Sequence, residues 1–340
     1  MEIYKGGQLV ENTLDDKMIS AMTLRKLKSP EFMIATKSIF DLYEKMDNWI
    51  LTGDCGAMIY GRTRVGKTSA INYISHKLQQ QYGEDFPVLI WTLTDHVPTD
   101  KSFNASKINA MDIGEIKTRT ETALNQKERV INYMRIRASM TPLKRIVFMI
   151  DEAWKLAAKE FDWLMDLYNT LQNKYDIQMS VFLFGTKELL ALRDCLVADN
   201  QNQIVERFML NSHRFYGIQS EIELGMCLME LDRAEVSDMS GKRNGQKLSE
   251  FYFPEAYKEG NAIFYTLSLD YWEAFQSVKK LYNIKEEDIP MMYFMGSFLK
   301  LLMRFGKCGE DAVYFIGKKE IVTCIKETGY GKISNSASEF

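Results

Sequence analysis

Eight consecutive residues, Gly61, Arg62, Thr63, Arg64, Val65, Gly66, Lys67 and Thr68, fit the pattern G-x-x-x-x-G-K-[ST]. Glycines let a backbone curl until successive N–H groups face one anion. A helix that follows adds its positive end. At this spacing Lys67 is expected to reach the β- and γ-phosphates of a nucleotide, and the Thr68 hydroxyl to ligate Mg²⁺. Gly61 to Thr68, with Ser69, form the predicted ATP-binding set. A glycine turn with a surface lysine would match four constrained positions only by accident. The setting, an apolar run before and a helical run after, is the one the motif needs.

A second group carries the complementary chemistry. Ile146 to Ile150 is a short apolar run that ends in Asp151 and Glu152. Ligands of open α/β sheets sit at the C-terminal ends of strands. Asp151 is expected to hold Mg²⁺ and Glu152 to polarise an attacking water. The competing reading is a helix N-terminus with two acids favoured by its dipole. A third run, Ser180 to Phe184, leads into Gly185 and Thr186. Thr186 is either the group that orients the water or a helix N-cap. Further on, Arg207 precedes Phe208. It is a candidate arginine finger for a neighbouring subunit's γ-phosphate, or the partner of Glu206 in a surface ion pair. Arg214 is the weaker candidate for the same role.

These groups need a scaffold whose strand ends converge. Ala57 to Tyr60, Val88 to Leu93, Ile146 to Ile150 and Val181 to Phe184 have the length and apolarity of buried strands. A fifth strand is expected within Phe208 to Gly217. Between them, Thr68 to Tyr82, Glu121 to Ser139 and Phe161 to Leu171 repeat apolar residues at helical spacing; Leu124, Ile131 and Met134 are expected near one face of the second. Strands alternating with helices predict an α/β fold, a five-stranded parallel sheet covered on both sides. Upstream, Phe32, Ile39, Leu42 and Met46 predict a helix starting at Ser29 or Pro30. Downstream, Glu221 to Asp238, Ala262 to Lys280, Ile289 to Met303 and Lys318 to Glu327 read as helices, and Gly241 to Lys247 as a basic loop. The expected domains are an N-terminal helical segment (1–56), an ATPase core (57–217), a mostly helical lid or C-terminal region (218–330) and a flexible tail (331–340).

Composition narrows the class. The chain has 340 residues, 46% apolar and 26% charged, which excludes disorder and collagen-like fibre. The 43 basic and 46 acidic residues leave a net charge of −3, so no global excess advertises nucleic acid. Five scattered cysteines without a C-x-x-C and three histidines argue against zinc and disulfide frameworks, and suggest a reduced, cytoplasmic protein. No run is long enough for a membrane span. Trp154 and Trp163 read as core residues.

The phosphate loop at Gly61 to Thr68, the acid strand Ile146 to Glu152, the Gly185-Thr186 pair and Arg207-Phe208 together resemble an AAA+ ATPase. Within that superfamily the chain resembles the TniB/TnsC group of transposition regulators. Asp151-Glu152-Ala153-Trp154-Lys155-Leu156 and the spacing from Gly185-Thr186 to Arg207-Phe208 carry that narrower likeness, over about residues 30 to 218. The resemblance implies an ATP-dependent, Mg²⁺-dependent protein that forms a homo-oligomer on double-stranded DNA without reading sequence. Oligomerisation and DNA would stimulate its hydrolysis. It would recruit or activate a transposase at a target site and could meet a target-selecting protein. One departure stands out: Gly260 to Leu267 lacks the lid arginine many AAA+ proteins carry.

Residues 100 to 145 hold ten basic and five acidic side chains. Related ATPases line a central channel with this part of the chain, so Lys101 and Arg119 are the candidate DNA contacts. A solvated helix face is the plainer reading. Two other functions compete. One is a nucleotide-gated signalling or defence switch that acts through a protein partner without assembling on DNA. The other, a small-molecule kinase, suits the phosphate loop but not the Asp151–Glu152 pair or Arg207.

Overall fold

The computed structural model describes residues 14–29, 31–115, 121–238 and 240–332. Pro30, Arg119 and the tail beyond residue 332 lie outside them. In chain order the elements are α1 (Leu14–Leu27), α2 (Lys37–Thr52), β1 (Gly56–Tyr60), α3 (Lys67–Tyr82), β2 (Val88–Thr92), α4 (Asp100–Ala110), α5 (Ala123–Ser139), β3 (Arg145–Asp151), a 3₁₀ turn (Ala153–Lys155), α6 (Ala158–Tyr175), β4 (Gln178–Gly185), α7 (Glu188–Ala198), α8 (Asn202–Phe208) and β5 (Asn211–Arg214). There follow α9 (Glu221–Arg233), β6 (Glu235–Ser237), β7 (Arg243–Lys247), α10 (Leu248–Tyr252), α11 (Pro254–Lys258), a second 3₁₀ turn (Phe264–Leu267), α12 (Ser268–Leu281), α13 (Met291–Phe305) and α14 (Lys318–Glu327). No helix among the described residues is long and apolar enough to cross a membrane.

The chain forms two compact units. One is Lys37–Tyr216. The other joins the segment that ends at Thr36 to the segment that begins at Gly217, so the expected N-terminal helical stretch divides between them.

The first unit is a five-stranded parallel sheet in the order β2-β3-β4-β1-β5. All five expected strands are present. Alternate residues of each apolar run feed opposite faces. Met58, Phe148, Ile150, Val181 and Leu183 join the core under α4, α5, α6 and α7. Ala57, Ile59, Val147, Met149, Phe182 and Phe184 join the core under α2 and α3. Burial on both faces is why these strands read as continuous apolar runs.

Several expectations shift. The helix predicted from Ser29 or Pro30 begins at Lys37, and Phe32 lies outside it, packed against the core of the other unit. Leu124 is 62% exposed; the buried face of α5 is Val130, Ile131, Met134 and Ala138. An additional helix, α4, starts at a capping box in which Thr99 accepts from the Ser102 N–H and Ser102 answers the Thr99 N–H.

The second unit is mostly helical, around Tyr271, Phe275, Phe294 and Phe298. The helix expected to Asp238 ends at Arg233, and the stretch expected as a basic loop contains the second strand of an antiparallel pair, β6–β7. Asp232 at the end of α9 accepts the N–H groups of Phe264 and Tyr265 at 2.7 and 2.9 Å and fixes the second 3₁₀ turn.

At Gly56 a Cβ would collide with the carbonyl oxygen of Val181 and approach the Phe208 backbone at 3.2 Å. Backbone cannot yield as a side-chain tip does. Gly56→Ala should therefore lower stability by about 1–3 kcal/mol, measured by denaturant unfolding. An unchanged midpoint would show that β1 and β4 can separate freely.

Candidate functional site

The site is built where β1, β4 and β3 end. Gly61 follows β1 directly and donates its N–H to the Gly185 carbonyl at 3.1 Å. A Cβ there would strike the Phe215 carbonyl oxygen, so only glycine fits. Arg64 and Gly66 both take left-handed backbone conformations, with φ of 68° and 110°. Left-handed residues reverse the chain tightly, and this tightness brings Lys67 into the first turn of α3. Val65 anchors the loop in the core beside Ala57 and Ile59. Arg62 is half-buried, whereas Thr63, Arg64, Thr68 and Ser69 are exposed.

Lys67 turns back over the loop. Its Nζ donates to the carbonyl oxygens of Gly61 at 2.9 Å and Arg62 at 2.7 Å. Burial lowers the pKa of its ammonium, and the charges of Glu152 and Asp151 oppose that effect. Thr68 Oγ1 donates to Asp151 Oδ2 at 2.7 Å, which joins the phosphate loop to the acid strand. Asp151 is 3% exposed, and its Oδ1 accepts the Glu152 N–H at 3.0 Å. Burial pushes its carboxyl above the usual range, and the bonds from Thr68 and the Glu152 N–H pull it back.

Glu152 itself is left-handed, at φ 56° and ψ 34°. For a residue with a Cβ this costs roughly 1–2 kcal/mol. The turn ends β3 abruptly and starts the first 3₁₀ turn. Two residues on, Trp154 Nε1 donates to Glu152 Oε2 at 2.6 Å. Trp154 is 36% exposed, not the core residue its sequence suggests. Trp163 is half-buried, its ring 5.2 Å from that of Phe103.

Thr186 lies just beyond β4, the strand between β1 and β3. Its hydroxyl is buried and has no hydrogen-bond partner among the described residues. Lys67, Thr68, Asp151, Glu152 and Thr186 thus share one end of the sheet. Arg207 does not. The backbone of Phe208 lies against Gly56 at the start of β1, so Arg207 stands near the other end. Its Nη1 donates to Asn169 Oδ1 at 2.6 Å and its guanidinium covers the Tyr168 ring at 4.7 Å. Arg214 is exposed at the end of β5, over Tyr216.

Lys101 is exposed in the first turn of α4, and Arg119 lies outside the described residues. Much of the basic stretch around them has internal partners. Lys107 is 1% exposed, bonded to the Phe103 carbonyl. Lys127 pairs with Asp166, Lys144 with Asp176, and Arg129 with Glu121 and the carbonyls of Ile113 and Gly114.

A family profile described as AAA domain matches residues 53–192. The chain has the AAA+ P-loop NTPase fold. A Walker-type ATPase of Pyrococcus abyssi superposes with a TM-score of 0.51 at 11% identity, over 91% of this chain and 76% of that one. Drosophila ORC, in a structure bound to poly(dA/dT) DNA and Cdc6, gives 0.50 at 10% identity, over 89% of this chain and 45% of the other. ORC2 of Aeropyrum pernix gives 0.48 at 11% identity over 85% of this chain, which spans 66% of its length. No curated protein matches the chain by sequence. The expectation of an AAA+ fold holds; the narrower likeness to transposition regulators has no counterpart among these matches.

The Asp151 carboxyl carries the stability prediction. Its folded-state pKa is raised above the ordinary 3.8, so its contribution is most favourable below that value and is lost as pH rises through the folded value. Asp151→Asn keeps the shape and removes the buried charge. It should melt higher than the parent at pH 7, with the gain shrinking towards pH 4. A variant that melts lower at pH 7 would mean that the hydrogen bonds outweigh burial.

Proposed function

We propose that this protein binds ATP with Mg²⁺ at the Gly61–Ser69 loop and hydrolyses it, and that it oligomerises on duplex DNA to recruit or activate a transposase. The observation that carries the catalytic part is the Thr68–Asp151 bond, which holds a hydroxyl and a carboxylate at the mouth of the phosphate loop. Both are hard oxygen donors of the kind Mg²⁺ prefers. Among the described residues no cluster of three or more His, Cys, Asp or Glu could hold a metal alone, so phosphate oxygens and water would complete the shell. Bound there, Mg²⁺ would neutralise developing charge on the phosphates.

The chain's own groups divide the work. Lys67 exchanges its two carbonyl partners for phosphate oxygens. Thr68 and Asp151 hold the metal. Glu152 accepts a proton from the attacking water, and Thr186 orients that water. Arg207 acts on a neighbouring copy's nucleotide after releasing Asn169. The DNA and transposase steps rest on the sequence likeness to TniB/TnsC regulators, with Lys101 and Arg119 as phosphate contacts. The DNA-bound Drosophila ORC shares only the fold.

The internal pairing of Lys107, Lys127, Arg129 and Lys144 favours a second reading, a nucleotide-gated switch that engages a protein partner without DNA.

Turnover, nucleotide binding and electron microscopy with duplex DNA separate these readings. Lys67→Ala should lose ATP binding and ATP-dependent assembly. Glu152→Gln should keep ATP and DNA binding, lose turnover by on the order of 100-fold or more, and persist as rings or filaments. Full turnover in Glu152→Gln would remove its assignment, and particles indifferent to DNA would favour the switch.

A further inference from the structure

Trp154 contacts Glu152 through a hydrogen bond that the functional reading does not use. The first 3₁₀ turn, which the left-handed Glu152 initiates, brings residue 154 back beside residue 152. The indole then donates to Oε2 at 2.6 Å, a short bond of the kind a carboxylate acceptor gives. The indole is itself braced. Its Cδ1 lies 3.3 Å from where a Cβ on Gly185 would stand, so the ring packs on the end of β4, one residue before Thr186. Lys155, whose Nζ stands 5.5 Å from the indole centroid, pairs with Asp95 at 3.0 Å.

A glutamate side chain has three rotatable bonds, and an exposed one samples several rotamers. Here one carboxylate oxygen is held by a rigid ring that rests on a neighbouring strand. The other oxygen keeps its lone pairs for a further donor. The left-handed backbone works in the same direction, since the Glu152 N–H is tied to Asp151 Oδ1. The acid is fixed at both ends, by its main chain to the Asp151 carboxylate and by its head to the Trp154 indole.

We propose that Trp154 is the positioning residue for Glu152: its indole N–H holds one carboxylate oxygen so that the other faces the attacking water. The role rests on the hydrolysis reading above. A Cβ at 185 would meet Leu189 at 2.8 Å and crowd the indole at 3.3 Å, so glycine there leaves the ring its place.

Trp154→Phe keeps the ring and deletes the N–H. It should lower kcat for ATP on the order of 10- to 100-fold, with KM and nucleotide affinity unchanged. In a Glu152→Gln background the same substitution should add little further loss, because the group it positions is already disabled. The contact is also testable without turnover. Of the five tryptophan indole N–H resonances in a ¹⁵N-labelled chain, Trp154→Phe deletes and so assigns one, and Glu152→Ala should shift that one. Parent-like kcat in Trp154→Phe, a full second loss in the Glu152→Gln background, or an indole resonance indifferent to Glu152→Ala would each overturn the role. If the parent turns over no ATP, the hydrolysis reading and this role fall together; a responsive resonance would then mark a purely structural contact.

Discussion

Asp151 ends its strand with a carboxylate that burial disfavours and two hydrogen bonds retain. One comes from Thr68, across from the phosphate loop, and one from the N–H of Glu152, the next residue. Everything at this end of the sheet is referenced to that group. Thr68, in the first turn of α3, faces β3, and Glu152 leaves the strand by a left-handed turn that presents its N–H to Asp151. A buried charge is a poor device for stability. It is an effective device for holding the phosphate loop and the end of β3 within hydrogen-bonding distance of each other.

The geometry of this end of the sheet was largely legible because its constraints are local. Gly61, Gly66, Lys67 and Thr68 are dictated by one loop, and Asp151 and Glu152 by one strand end. The inner strands were legible for a related reason: β1, β3 and β4 are buried on both faces, so each carries an apolar run, whereas the edge strand β5, Asn211–Arg214, has none. What escaped depends on partners distant in sequence. Phe32 shares the helical spacing of Ile39 and Leu42 but packs in the other unit. Leu124 keeps the period of α5 yet sits in its first turn, outside the core. The β6–β7 pair has no apolar alternation in Arg243 to Lys247, and backbone pairing makes it. Trp154 escaped because a large aromatic after an apolar strand reads as core, and nothing in its neighbours in sequence reports the carboxylate it meets.

Charge was the least transferable reading. A local excess of basic residues between 100 and 145 is a property of the string, whereas the field depends on where each charge finds a partner. Lys107 is buried over aromatic rings, with its ammonium pKa pushed well below the ordinary value by burial. Close to it, Glu160 is fully buried and accepts from His96 at 2.6 Å, a bond that raises the histidine's pKa. Part of the basic stretch is therefore internal framework around α4 and α6. Arg207 makes the complementary point: the arginine read as facing outward is bonded to Asn169 and stacked on Tyr168 of its own unit.

The ammonium of Lys67 already has two oxygen partners, supplied by the loop that would receive the ligand. The carbonyls of Gly61 and Arg62 act as a built-in rival for any incoming anion. A singly charged oxyanion offers the ammonium little more than these dipoles do, and gains little by displacing them. A polyphosphate brings several formal charges and enough oxygens to engage the ammonium, the helix end and a metal together, so it would win the exchange. On the nucleotide-site reading, this rivalry would discriminate against small anions without any side chain devoted to excluding them.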